Sequence, residues 1–444
     1  MLKRFLILVI ALNLFACVSF KEEVKHNNAL SHSEKSKYVF LFIGDGMGPN
    51  QRHVGEKAFG GKLWMNTLPV NAMVSTSPYG GGITDSAASA TAFACGKKTK
   101  NKYLGVDHKG KSIESVATMA KKLGWKIGIV SSVPLNHATP AAFYAHRSSR
   151  SMYNEIIQDL AVSNFDYFGG NSLIINSKNK KQILKCLKDN NYITIKSTKE
   201  LPKLDSDKKY IVHNWIPNVI DHNNKGLSLA DYTRLGIKHL YNNDSNFFIM
   251  VEGGKIDWTS HSNDGGSMVH EVKDFDNAIK VALDFYKKHP NSTTIIVTSD
   301  HETGGLQLNN IKHEKLLQQK CSYGTMNYKL KKYKKEKLPY KKVLLLMQED
   351  FGIKKLSTEE LSKLHSAWIP KKVKKKHDKY SALLRCMKKI FNERCGLKWT
   401  RGGHSAADIP LNAIGVGSEL FAGYYENNQI AHKLKNLIKA VAKK

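Results

Sequence analysis

Lys37-Tyr38-Val39-Phe40-Leu41-Phe42-Ile43-Gly44-Asp45-Gly46-Met47-Gly48-Pro49 is the stretch on which the reading of this chain turns. Residues 37–43 form a short β-rich run without polar alternation, as a strand buried on both faces of a parallel sheet requires. Glycines and a proline then break it. Asp45 is left just beyond the strand's carboxyl end, flanked by glycines that let a ligand approach the backbone. Open α/β sheets bind their ligands at the carboxyl ends of parallel strands. A tight turn containing an aspartate explains the stretch equally well on its own, so the reading depends on repetition.

The pattern recurs twice. Residues 246–251 form a second such run, ending in Glu252-Gly253-Gly254-Lys255-Ile256-Asp257-Trp258-Thr259-Ser260-His261. Asp257 and His261 are four apart, so one helical turn puts both on the same face. A carboxylate and an imidazole so placed can share one zinc. Residues 293–298 form a third run, ending in Ser299-Asp300-His301-Glu302-Thr303-Gly304-Gly305. Three strand-then-carboxylate junctions, two of them with histidine, predict an α/β fold whose sheet edge gathers hard metal ligands.

Between these junctions, helices are predicted at 113–123, 228–240 and 267–287, and a strand at 126–131. Ser228 and Asp231 have the spacing of a capping pair. Asn136-His137-Ala138-Thr139-Pro140 follows the strand, and Thr139 offers a hard oxygen. Arg150 offers a planar fork suited to phosphate. Gly169-Gly170-Asn171 reads as a turn, and the Lys/Asn-rich part beyond it as a peripheral excursion. Near the end, Trp399-Thr400-Arg401-Gly402-Gly403-His404-Ser405 returns to a glycine-flanked histidine. A last core strand is predicted at 412–416 and a basic helix at 433–444.

The segment Gly80 to Gly96 supplies a candidate nucleophile. A glycine run ends at Thr84-Asp85-Ser86, and an alanine-rich helical segment follows at once. Ser86 therefore sits at a helix N-terminus, where free N–H groups and the macrodipole favour an anion. That suits a serine oxygen that attacks a phosphate, activated by metal rather than by a histidine base. Capping of a buried small-residue helix accounts for Asp85 and Ser86 as well.

The chain's 444 residues suffice for one large α/β domain with insertions, or for two domains. Its net charge is +31, from 69 Lys+Arg against 38 Asp+Glu. The excess is mostly Lys without Arg-aromatic interleaving, so no specific nucleic-acid binding is expected. Residues 1–17 have the positive start and short apolar run of a signal peptide. Cys17 at their end reads as a lipid-anchor site, with plain secretion and cleavage nearby as the alternative. Residues 18–36 read as a polar tether. The protein is accordingly expected to be exported, as a periplasmic or membrane-anchored lipoprotein. Five further cysteines show no C-x-x-C or zinc-finger spacing. Cys386 and Cys395 are close enough in sequence to pair in an oxidising compartment. Residues 309–398, with lysine-dense runs at 329–342 and 371–379, read as a basic inserted subdomain. It is either a solvated cover or a contact surface for anionic polymer or lipid headgroups. Ser357 and Glu360 mark a helix start within it.

Taken together, these motifs resemble the alkaline phosphatase family. Gly44-Asp45-Gly46-Met47-Gly48 is similar to its first metal motif, and Thr84-Asp85-Ser86-Ala87-Ala88-Ser89-Ala90-Thr91-Ala92 to its long nucleophile signature. His137-Ala138-Thr139-Pro140-Ala141 resembles its magnesium segment. Arg150 falls where its phosphate-binding arginine is expected. The segment from Glu252 to His261, Asp300-His301 and Gly403-His404 complete the set in the family's order. The resemblance spans about residues 37–310 and 399–424.

It implies a three-layer α/β/α sandwich around a large, mostly parallel sheet, with 37–308 and 399–444 as the catalytic domain. It implies two Zn2+ and one Mg2+. One zinc would be held by Asp257, His261 and His404. The other would be held by Asp45, Asp300 and His301, with Ser86 alongside. Magnesium would be held by Asp45, Thr139 and Glu252. Some members carry Asp where this chain has His137, which implies here a magnesium shell completed through water and a third site open to zinc. The implied activity is hydrolysis of small phosphorylated substrates as monoesters through a phosphoserine on Ser86, with Arg150 on two phosphoryl oxygens and a homodimer as the assembly. A phosphodiesterase of the same superfamily and, from another class, a surface adhesin using the basic region are the competing readings.

Overall fold

The computed structural model describes residues 35–196, 203–222, 226–242, 244–309, 312–369 and 378–442. The signal segment, Cys17, most of the tether and most of the 371–379 lysine run lie outside the described residues.

The described residues form fourteen strands: β1 (Tyr38–Gly44), β2 (Val70–Ser75), β3 (Lys126–Pro134), β4 (Tyr167–Asn171), β5 (Tyr192–Lys196), β6 (Lys209–Asn214), β7 (Phe247–Glu252), β8 (Thr293–Ser299), β9 (Glu302–Thr303), β10 (Leu306–Leu308), β11 (Leu397–Trp399), β12 (His404–Ser405), β13 (Ile409–Gly415) and β14 (Gly423–Glu426). Ten of them make one sheet in the order β14-β2-β13-β8-β1-β7-β3-β4-β6-β5. Only β13 runs against its neighbours β2 and β8. The other pairings in this sheet are parallel.

The all-apolar reading of β1 has a simple cause. Tyr38, Phe40 and Phe42 pack into one core, while Val39, Leu41 and Ile43 pack into a second on the opposite face. Side chains alternate across a strand, so a strand covered on both sides has no polar positions to spare. Helices 49–58, 229–240 and 265–286 cover the first face. Helices 86–95, 116–122, 153–162 and 428–442 cover the second. The result is the three-layer α/β/α arrangement around a mostly parallel sheet.

The predicted helices and strands appear within a few residues of their expected ends. Ser228 and Asp231 cap each other reciprocally, and so do Ser357 and Glu360. Two expectations need correction. Gly169-Gly170-Asn171 is not a turn: it belongs to β4, between β3 and β6. Gly170 has φ +138°, and a Cβ there would meet the Ser131 carbonyl of β3. The glycines mark a close backbone approach inside a sheet. The stretch beyond them is peripheral in position, but it supplies β5 and β6 and so completes one sheet edge. The strand expected at 412–416 begins earlier and is not the last, since β14 follows it.

The described residues of 323–394 contribute four helices. Their apolar faces, including Met326, Val343, Met347 and Met387, join the core on the first face. Cys386 and Cys395 lie on and just after the last of these helices, and the five described cysteines are free thiols.

Candidate active site

The register of the central strands brings the carboxylates together. Ile43 of β1 is level with Glu252 of β7, and Gly44 with Ser299 of β8. Asp45, Glu252 and Asp300 therefore emerge at one sheet edge, and all three are fully buried. Gly46 adopts φ +70°, and a side chain there would strike the Asp257 backbone. Its N–H donates to Asp300 Oδ1 at 3.0 Å. Only glycine permits both this turn and this approach.

Asp257 and His261 lie on the short helix 255–261, with Nε2 of the histidine 3.3 Å from Asp257 Oδ2. The ribbon of β9 and β12 carries His404 to the same place. Its Nε2 lies 3.2 Å from that of His261 and 3.7 Å from Asp257 Oδ1. Nδ1 of His261 faces the Gly402 carbonyl at 2.6 Å, and Nδ1 of His404 faces the Thr84 carbonyl at 2.8 Å. A carbonyl can only accept, so each ring carries its proton on Nδ1 and keeps an Nε2 lone pair for a ligand.

His301 stands between the two groups. Its Nε2 is 3.5 Å from Asp45 Oδ1, 3.3 Å from Asp300 Oδ2 and 3.2 Å from Ser86 Oγ. Ser86 begins the helix 86–95, whose ten residues are all buried, with Asp85 accepting from the Ala88 N–H. Small side chains let this helix lie close against its neighbours. Thr139 Oγ1 lies 3.4 Å from Asp45 Oδ2, and Glu252 is held by Ser131. Arg150 pairs with Asp85 at 3.2 Å and with His137 Nε2 at 3.3 Å.

Donor atoms of Asp257, His301 and His404 converge within metal-binding reach of one another, as do those of Asp45, Asp300 and His301, and those of Asp45, His137 and Glu252. His137, expected beside the magnesium set, thus lies in direct reach of Asp45 and Glu252. His301 is shared between the other two groups.

The electrostatics are those of a cation site. Burial and the neighbouring Asp300 push the Asp45 carboxyl well above its usual range. Burial lifts Glu252 to about 8 and Asp300 to about 6. Burial lowers His301 to about 4 and His137 to about 3, with Arg150 adding to the second shift. Asp257 is buried too, yet its contact with His261 and the surrounding imidazoles hold it low. Crowded carboxylates beside neutral imidazoles form a ligand set lacking a positive charge. Asp45 Oδ1, Glu252 Oε1, Asp300 Oδ2 and His137 Nδ1 are buried without a hydrogen-bond partner among the described residues. Buried polar atoms are seldom left so, and bound cations would satisfy them.

Several participants carry no distinct sequence signal. Thr303 donates to Asp257 Oδ1 at 2.6 Å and lies 3.2 Å from His301 Nδ1. Its place in the run from Asp300 to Gly305 is the one clue to it. Ser131 sits inside β3 and Asp85 reads as a cap, so neither points to Glu252 or to Arg150.

An α/β sheet whose carboxyl edge gathers candidate metal ligands around a helix-terminal serine has an arrangement suited to phosphoryl transfer. The alkaline phosphatase family model matches residues 36–167 and 176–440. The chain is 31% identical to alkaline phosphatase 4 of Bacillus subtilis (strain 168), covering 97% of this chain and 95% of that one. A cold-active alkaline phosphatase from a psychrophilic Shewanella sp. superposes with TM-score 0.76 at 28% identity, over 90% of this chain and 99% of the other. The alkaline phosphatase from the Antarctic bacterium TAB5 does so with TM-score 0.67 at 30% identity, over 92% and 99%. The protein belongs to the alkaline phosphatase family and is a phosphomonoester hydrolase acting on small phosphorylated substrates with metal cofactors.

Proposed function

We propose that the enzyme works through a phosphoserine on Ser86, at a centre for two zinc ions and one magnesium ion. Asp257, His261 and His404 would hold one zinc, and Asp45, Asp300 and His301 the other. Asp45, Thr139 and Glu252 would hold magnesium, with His137 beside them. Imidazole-carboxylate sets suit zinc, and all-oxygen sets suit magnesium. A TAB5 alkaline phosphatase variant, 30% identical to this chain, is described with Mg bound in its M3 site. The bound cations supply charge neutralisation for the phosphoryl oxygens and lower the pKa of coordinated oxygen.

Ser86 Oγ attacks phosphorus and gives up its proton to solvent. The bond from phosphorus to the ester oxygen breaks, and the leaving alkoxide takes a proton from solvent. Water then attacks the phosphoserine, the Oγ–P bond breaks, and Ser86 regains its proton as phosphate leaves. Arg150 grips two phosphoryl oxygens, a role suited to a dianionic terminal group. Asp85 engages Nη1 of that guanidinium and His137 Nε2 engages Nη2, which leaves Nε–H and one N–H on each Nη for phosphate.

The observation that carries this reading is Ser86 Oγ at a helix start, 3.2 Å from His301 Nε2. Ser86→Ala is expected to lower kcat by about 10³-fold or more, with no covalent phosphate trapped and zinc and magnesium content retained. Covalent phosphate persisting in that variant would refute the nucleophile assignment.

The same reading divides the chain into a catalytic unit (37–308 with 399–444) and a basic accessory unit (309–398). It takes the protein to be exported and anchored or released at Cys17, and to act as a homodimer. Mass spectrometry of the mature N-terminus and light scattering test these points. Among the described residues no helix is long and apolar enough to cross a membrane.

A further inference from the structure

A cleft of about 950 Å³ opens beside the phosphoryl site, and Trp258 lies on the boundary between them. The indole meets the His137 ring edge-on at 5.8 Å between centroids, and His137 in turn contacts Arg150. The lining also includes Gly324 and Thr325 from the first helix of the basic region. The volume is at the upper end for small-ligand sites.

Trp215, which also lines the cleft, is 72% exposed. Its exposure does not come from a loose backbone. The Trp215 N–H donates to Asn214 Oδ1 at 2.9 Å, and the Ile216 N–H donates to Asn171 Oδ1 at 3.2 Å. Buried Lys255 donates to the Ile216 and Pro217 carbonyls. The Val219 N–H donates to Glu271 Oε1, and Asp221 accepts from the Ser322 N–H and hydroxyl. A rigid segment therefore presents a large indole to solvent inside a cleft. Trp258 does the same with 38% of its surface exposed. The Asn218 carboxamide, the His222 ring and the Thr325 hydroxyl line the same space and make no side-chain hydrogen bond among the described residues. The cleft thus offers two flat faces with free hydrogen-bonding groups, and through Trp258 and His137 it leads to Arg150.

We propose that this cleft is the leaving-group subsite. It selects phosphate monoesters whose alcohol carries a flat aromatic ring system, with nucleoside 5′-monophosphates as the substrate class, by stacking on Trp215 and Trp258. The inference rests on Ser86 and Arg150 forming the monoester centre. Stacking of a base on an aromatic side chain is worth roughly 5- to 150-fold in binding. It is made equally in ground and transition states, so it acts on KM.

The test uses the full-length, metal-loaded enzyme with adenosine 5′-monophosphate and glycerol phosphate as substrates. In Trp215→Ala the ratio of kcat/KM for the nucleotide to that for glycerol phosphate is expected to fall about 5- to 50-fold. The fall is carried by KM and largely restored in Trp215→Phe. With the wild-type enzyme, adenosine alone is expected to inhibit glycerol phosphate hydrolysis competitively. That arm needs no variant to fold. An unchanged ratio, a proportional loss on both substrates, or no inhibition by adenosine overturns the subsite. A wild-type enzyme that turns over neither substrate overturns the monoester reading instead.

Discussion

Asp85 serves three donors with two oxygens. Oδ1 accepts from the Ala88 N–H at 2.9 Å, and Oδ2 from the Lys102 N–H at 3.0 Å and Arg150 Nη1 at 3.2 Å. One side chain thus caps the helix that Ser86, the proposed nucleophile, begins, and holds the guanidinium of Arg150, the proposed phosphate ligand. Asp85→Ala is expected to cost about 1–2 kcal/mol in urea denaturation through the lost cap. KM for a generic monoester should rise several-fold while kcat changes less, because Arg150 loses its anchor; an unchanged KM in steady-state kinetics would rule out that link. The cap was legible in the run Thr84-Asp85-Ser86. The link to Arg150 was not, because it spans 65 positions that only the fold brings together. The same holds for Thr303, whose hydroxyl joins Asp257 to His301 across separate elements.

Strands β1, β7 and β8 were readable because they are buried on both faces, which leaves an uninterrupted apolar run. Strand β4 was hidden by its glycines, which serve contact with Ser131 rather than a change of direction. Reversal of β13 had no local signature, since a strand's direction is set by its partners. The helix 265–286 carries a consequence for pH. Burial, opposed by Lys255, pushes the Glu271 carboxyl up from 4.5 to about 7, and burial likewise lifts Asp274 to about 6. The folded protein then keeps a proton on Glu271 that the unfolded chain has already released, so stability falls as pH rises from about 4.5 to 7. Glu271→Gln can still accept from the Val219 N–H and carries no such charge. Melting temperatures of this variant are expected to vary less across that window than those of the wild type. Equal slopes would show that Glu271 is ionised throughout.

At the scale of the whole molecule, the candidate ligands run from Asp45 to His404, and no single element holds a complete set. Three strand-end carboxylates pointed to the sheet edge, and the family's motif order suggested which histidines would join them. How His301 stands between two groups, and how His137 comes within reach of Asp45 and Glu252, emerged only from packing. Asp45, Glu252, Asp257 and Asp300 are buried close enough to perturb one another's ionisation. Removing the cations with a chelator is expected to abolish turnover and to lower unfolding stability by on the order of 4 kcal/mol, as for a ligand held at about a thousand times its Kd. Adding zinc and magnesium back should restore both, followed by calorimetry and assay on the same sample. A chelated protein with an unshifted melting temperature would mean that the carboxylates are satisfied without metal.

The order in which these residues are synthesised adds a last point. His404 and β13 follow every other candidate ligand in sequence, yet β13 flanks β8 and His404 faces Asp257 and the carbonyl of Thr84. A ribosome-bound polypeptide that stops short of them has an open sheet and an incomplete ligand set. A fragment that ends before His404 is therefore expected to be inactive however well its earlier strands are formed.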